Sequence, residues 1–208
     1  MWTRRDLITA RGVTRAAAAE TAPVPLAARR SGPEYFGNAT LTTHEGKTVR
    51  FYDDLIRGKV VMFNMMYAQC DGICPTMTDN LVRVQQLLGP RVGRDVFMYS
   101  MTLQPEQDSP QDLKIYAAVH GVKPGWLFLT GRPEDLRLIR YRLGFYDPDP
   151  VIDGNKATHT GAVRIGNDAY ERWAMAPALT GPEHILATIN HVDRTTVYTA
   201  PGRVNPSR

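Results

Sequence analysis

The spacing of hydrophobic and polar positions changes along the chain, and each change marks an element. Thr40 to Thr43 and Val49 to Tyr52, separated by His44-Glu45-Gly46-Lys47, read as a hairpin with its glycine at the turn. Lys59 to Tyr67 is almost continuously apolar, the pattern of a strand buried on both faces; Asn64 is its one polar interruption. The period then shifts to that of a helix. Met77, Leu81, Val84 and Leu88 recur on one face of Thr76 to Leu88, Pro75 suits the first turn, and Gly89-Pro90 stops it.

The alternation continues. Val96 to Leu103 is a predicted strand and Ser109 to His120 a helix, with Ser109 as cap, Pro110 at the first position and Gly121 at the end. Gly125 to Thr130 is a short strand. Pro133 to Leu143 is a helix with Leu136, Ile139 and Leu143 on one face. Gly161 to Ile165 and Tyr170 to Ala174, joined by Gly166-Asn167-Asp168, form a second hairpin, and Pro182 to Val192 is a last helix. This order predicts an α/β domain. Its central sheet is mixed, parallel where helices connect strands and antiparallel at the hairpins.

Composition sets the limits. The 208 residues suit one domain with terminal excess, and 43% hydrophobic residues suffice for a core. The expected division is an N-terminal segment over residues 1–35, a domain over 36–194 and a disordered tail over 195–208. Six of the 25 basic and two of the 21 acidic residues fall within residues 1–30, leaving 19 of each sign elsewhere. The net charge of +4 therefore belongs to the N-terminal segment, and the neutral body gives no reason to expect a nucleic-acid partner. No apolar run approaches the length of a transmembrane segment, so no membrane anchor is expected. Arg4-Arg5 ahead of Leu7-Ile8 and an alanine-rich stretch resembles a twin-arginine export signal, although Arg11 and Arg15 interrupt the apolar part. This points to the periplasm or cell envelope. The alternative is a disordered basic tail on a cytoplasmic protein.

Both cysteines stand in Cys70-Asp71-Gly72-Ile73-Cys74-Pro75, where a buried strand passes into a helix. Unpaired backbone N–H groups and the positive end of the helix dipole favour thiolate there, the form that attacks disulfides and binds soft metals. A disulfide spanning so short a loop would restrain the unfolded chain only slightly, so a purely structural role explains the pair less well. Two thiols alone do not choose between redox exchange and metal binding. Met62, Met65 and Met66 precede the site, but strand alternation assigns them to the core.

A third ligand to a soft metal would be a His or Met. His44, His120, His184 and His191 have simple surface or capping explanations. His159, in Lys156-Ala157-Thr158-His159-Thr160-Gly161, stands directly before a predicted strand, on an approach through Asp153-Gly154-Asn155.

Residues 38–192 resemble the SCO/SenC family of copper proteins involved in cytochrome oxidase assembly. The resemblance rests on Lys59 to Asn64 leading into Cys-x3-Cys-Pro, on Pro105 to Pro110 after a strand, and on Thr158-His159-Thr160, where the family has Asp-His-Ser. It implies a thioredoxin-like fold and a copper site, Cu(I) or Cu(II), formed by Cys70, Cys74 and His159. It also implies a cuproprotein client such as a cytochrome c oxidase subunit, and a thiol reductant protein as a second partner. Two Cys and one His make a donor set soft enough for copper, whereas structural zinc wants four ligands. Oxidising Cys70 and Cys74 to a disulfide would abolish binding. The sequence departs from the family at Asp71, where a proline is usual, at Gln104-Pro105-Glu106-Gln107-Asp108, where Asp-Pro-Glu-Arg-Asp is usual, and at Thr158.

Two functions follow. One is a metallochaperone that hands copper to a cuproprotein. The other is a thiol–disulfide oxidoreductase, with Cys70 and Cys74 as its redox pair, that reduces a partner's cysteines. A thiol peroxidase fits less well, since no arginine accompanies the cysteine motif, and a purely structural domain leaves the paired cysteines unexplained.

Overall fold

A computed structural model describes residues 31–156 and 161–194 of the chain. It opens with the short helix α1 (Pro33–Phe36), whose Phe36 is buried, so ordered structure begins inside the segment expected to lie outside the domain. The hairpin β1 (Thr40–Thr43) and β2 (Thr48–Arg50) follows. The second strand is shorter than expected. Phe51–Ile56 instead forms a wide helical turn, in which the Arg57 N–H donates to the Tyr52 carbonyl five residues back at 2.9 Å. Asn38 Oδ1 holds the start of this turn by accepting from the Tyr52 and Asp53 N–H groups at 3.1 and 3.2 Å. The turn places Phe51, Tyr52, Leu55 and Ile56 in the core, which a strand of alternating faces would not do.

The central elements are β3 (Val60–Met66), α2 (Ile73–Leu88), β4 (Val96–Thr102), α3 (Pro110–Val119), β5 (Trp126–Gly131) and α4 (Pro133–Leu143). Ser109 caps α3 through a reciprocal capping box with Asp112. A short helix, α5 (Pro150–Gly154), follows; then come β6 (Ala162–Asn167), β7 (Arg172–Pro177) and α6 (Pro182–Val192). The second hairpin turns later than expected. Gly166 lies within β6, and the turn is the helical Asp168–Tyr170. Packing explains it: a Cβ on Gly166 would stand 2.2 Å from the Trp173 ring, so the glycine serves close approach within the hairpin rather than the bend.

The seven strands form one sheet in the order β2-β1-β5-β4-β3-β6-β7. β3, β4 and β5 are parallel, and the hairpins add antiparallel pairs at both sides. This mixed sheet flanked by helices is the α/β, thioredoxin-like arrangement that was expected. α2, α3 and α6 cover one face over a core that includes Met62, Met66, Leu81, Trp126 and Ile185. α1, α4 and the 51–56 turn cover the other, over Phe51, Phe63, Met65, Tyr99 and Leu136. Met62, Met65 and Met66 are all buried core residues, as strand alternation required. Because β3 is interior to the sheet, its C-terminal end opens at the top centre of the fold, where chemistry in open α/β sheets is usually placed.

Candidate functional site

Two short connections build the site. Tyr67 to Gly72 links the end of β3 to α2, and Leu103 to Ser109 links β4 to α3. They are fastened together from below. The Leu103 N–H donates to the Met66 carbonyl at 2.8 Å. Asp108, only 1% exposed, accepts the Ala68 N–H on Oδ2 at 3.1 Å, and the Thr102 hydroxyl donates to the same oxygen. Thr102 Oγ1 in turn accepts the Gln104 N–H at 2.8 Å. A buried carboxylate satisfied by one amide and one hydroxyl thus sets the path of the chain two residues before Cys70.

α2 begins earlier than its apolar periodicity indicated. Ile73 and Cys74 are already helical, with Gly72 as N-cap. The first turn tolerates Pro75, whose missing N–H has no intrahelical partner to lose. Cys74 therefore lies inside the helix with no exposure, while Cys70 lies in the loop before it and is also buried, with 8% of its surface exposed. Both are thiols rather than a disulfide. The reading of a strand-to-helix corner holding both sulfurs agrees with this arrangement.

Burial by itself pushes the Cys70 thiol up. Four donors outweigh it: the Cys74 thiol, the Tyr67 hydroxyl, and the backbone N–H groups of Cys74 and Gly72. The outcome is a Cys70 pKa below its ordinary value of 9.0. The same contact holds the Tyr67 hydroxyl in its protonated form, pushed up to about 12, chiefly by its hydrogen bond to Cys70 and then by burial. Two of the four donors are amides at the start of α2, which is the helix-terminus effect expected from sequence. Tyr67 is an addition the strand pattern did not reveal; its signal was a hydroxyl-bearing residue closing an otherwise apolar strand. Asp108 was visible only as part of a motif, with no role attached.

His159 lies outside the described residues. Both approaches to its segment are anchored. Upstream, Arg140 donates to both carboxylate oxygens of Asp153 at 2.8 and 2.7 Å and to the Phe145 carbonyl at 2.9 Å. Downstream, the Gly161 carbonyl accepts the Ala178 N–H at 2.9 Å, and Asn80 of α2 donates to the Ala178 and Thr180 carbonyls, both at 2.8 Å. Asn80 thereby links the cysteine helix to the chain just past Thr160. Among the described residues, no group of three or more His, Cys, Asp or Glu side chains is placed to hold a metal ion. Two of the other histidines have partners of their own. His120 ends α3 and meets Asp79 at 2.8 Å, and His44 Nδ1 accepts the Phe128 N–H at 3.1 Å beside β1. No described helix is long and apolar enough to cross a membrane.

Known proteins share this architecture. The structure of BsSco, described as a member of the Sco family of cytochrome c oxidase assembly proteins with a disulfide switch, superposes with a TM-score of 0.62 at 20% identity, over 77% of this chain and 94% of that one. Bradyrhizobium japonicum ScoI with copper bound superposes with a TM-score of 0.56 at 22% identity, over 75% and 98%. In sequence, an SCO1 protein homolog of Bacillus subtilis is 32% identical over 93 residues, which is 44% of this chain and 47% of that protein. The chain spans about half the length of the first relatives it matches. The SCO1/SenC family model matches residues 27–193, a stretch that contains both cysteines, the Asp108 anchor and every described element, and the chain belongs to that family.

Proposed function

We propose that the protein binds copper through the thiolates of Cys70 and Cys74, with His159 as third ligand, and passes it to a cuproprotein such as cytochrome c oxidase. The observation that carries this reading is the contact between the two sulfurs at the start of α2, where backbone amides favour thiolate. Thiolate donors suit a soft cargo, and a site supplied by a loop, one helical turn and a separate segment leaves a side open for transfer. The copper-bound ScoI structure supports copper as the cargo by relationship. Export to the cell envelope is part of the proposal and rests on the arginine pair near the start; cell fractionation tests it.

Titrating copper into the reduced protein, wild type beside His159→Ala, is the direct test. We expect one equivalent to be held by the wild type and weaker retention by the variant. No retention by the reduced wild type would remove the copper role, and equal retention would remove His159 from the site.

One observation favours a second reading. Cys70 lines the neighbouring groove and is thiolate-prone while Cys74 has no exposure, the division of labour of an attacking and a resolving sulfur. In that reaction the Cys70 thiolate attacks a partner disulfide, a mixed disulfide forms and one partner thiolate leaves. Cys74 then displaces the second partner thiol as Cys70 and Cys74 become oxidised. Turnover with a protein disulfide and a thiol reductant, absent in Cys74→Ser, is its expected signature.

A further inference from the structure

A groove of about 320 Å³ opens beside Cys70, between its loop and α3. Cys70, Pro75, Ile115, Tyr116, Val119 and His120 line it, and Cys74 does not. Its outer wall is apolar yet open to solvent, with Ile115 53% and Val119 77% exposed, whereas other α3 residues, Leu113 and Ala117, are buried in the core. Exposed branched side chains concentrated at a cleft mark an interaction surface rather than leftover core. The floor is rigid: the Tyr116 hydroxyl meets Thr78 Oγ1 at 2.8 Å, and the His120 ring packs 4.4 Å from the Tyr116 ring.

Carboxylates stand among the groove's lining residues or next to them. Asp112 lines it, Asp79 holds His120 from outside, and exposed Asp71 follows Cys70 in the chain. No lysine or arginine is among the lining residues. Lys114, the basic residue of α3, is not among them.

The geometry points to this groove as the docking site for a partner's cysteine-bearing segment, an extended stretch with apolar and basic residues beside its cysteine. Ile115 and Val119 receive the apolar side chain, the carboxylates attract the basic one, and the partner's sulfur is delivered to Cys70. The inference rests on the proposed role of Cys70 as the sulfur that meets a partner, and it adds what that partner's segment must look like. An acidic segment would be repelled by the carboxylates, and a purely polar one would leave the apolar wall exposed.

The test uses the reduced full-length protein and short peptides, each with one cysteine activated as a thionitrobenzoate disulfide. Cys70 thiolate attacks the peptide sulfur, the Cys70–peptide disulfide forms, and coloured thionitrobenzoate leaves. Leu-Cys-Lys-type peptides are expected to react about tenfold faster than Asp-Cys-Ser-type peptides at low salt, with the charge-dependent part shrinking as salt is added. The double variant Ile115→Ser/Val119→Ser, altered only at exposed positions, should lose most of the preference while reacting normally with a small uncharged thionitrobenzoate disulfide. Equal rates across peptides, a preference unchanged in the double variant, or a Cys70 inert to the small reagent would each overturn the inference. Copper titration of the same samples separates the two readings: a protein that holds no copper but keeps the peptide preference refutes the copper role and leaves the groove standing, and the reverse refutes the groove alone.

Discussion

Behind the sheet, rings pack against rings. Phe63 lies 5.0 Å from Tyr99 and 5.7 Å from Phe51, and Phe36 lies 4.8 Å from Trp173. In front, the strands and the helices over them deliver polar groups. Trp126 donates to Ser100 at 2.9 Å, Ser100 donates to Asn64 at 2.8 Å, and Thr78 and Tyr116 share a hydrogen bond, all beneath or beside the cysteine helix. One face holds the fold by area and shape. The other gives up some of that simplicity to carry thiols, hydroxyls and a groove open to solvent. The face that bears the chemistry is thus the one that carries the buried Trp126–Ser100–Asn64 and Thr78–Tyr116 hydrogen bonds.

The sharpest way to break this contrast is a pair of truncations. Phe63→Ala behind the sheet should cost about 4 kcal/mol in urea unfolding, through lost burial and the cavity left behind, while folded molecules keep their thiol reactivity. Cys74→Ala in front should cost only about 1 kcal/mol and abolish copper retention and disulfide turnover. If Phe63→Ala altered Cys70 reactivity in the folded protein, the two faces would not be separable.

Asp108 tests the joint above the front face. Asp108→Ala leaves a buried amide and a buried hydroxyl without their acceptor and should destabilise by about 3 kcal/mol. It should also change the Cys70 alkylation rate, because Ala68 sets the loop. Alkylation unchanged at equal folded fraction would reduce Asp108 to a purely structural role.

Tyr67→Phe probes a single hydrogen bond. Removing the hydroxyl should raise the Cys70 pKa toward its ordinary 9.0 and slow iodoacetamide alkylation at neutral pH by about threefold, with little change in the urea midpoint. An unchanged pH profile would remove Tyr67 from the site.

The smallest expected effect is at His44. Burial lowers its pKa from 6.5, against the opposing pull of Glu45. The folded protein therefore resists the proton that the unfolded chain accepts. This contribution to stability is complete above about pH 6.5 and is lost as pH falls through the lower folded value. His44→Gln should flatten the difference between urea midpoints at about pH 7.5 and about pH 5.5 by a few tenths of a kcal/mol.

Much of this was legible from residue order. Apolar period placed β3, α2, β4, α3, β5, α4 and α6 within a few residues, because burial on one or two faces leaves a repeat in the chain. It failed where geometry was decided by distant partners. Phe51 and Tyr52 read as the end of a strand because their apolar side chains suit one, but Asn38 captures the Tyr52 and Asp53 amides and the chain winds into a turn. Gly166 looked like a turn residue because glycine usually is one there, but Trp173 demanded its missing Cβ.

The site divides in the same way. Sequence alone determined the family, the fold class and the two cysteines at a strand-to-helix corner, since these depend on local order and spacing. Only the tertiary structure decided which sulfur lines the groove, that Tyr67 and Asp108 support its loop, and that α3 supplies an apolar wall with Asp112 beside it. Those properties come from side chains brought together across gaps of up to about fifty residues, and a hydrogen bond or a groove leaves no period in the chain that forms it.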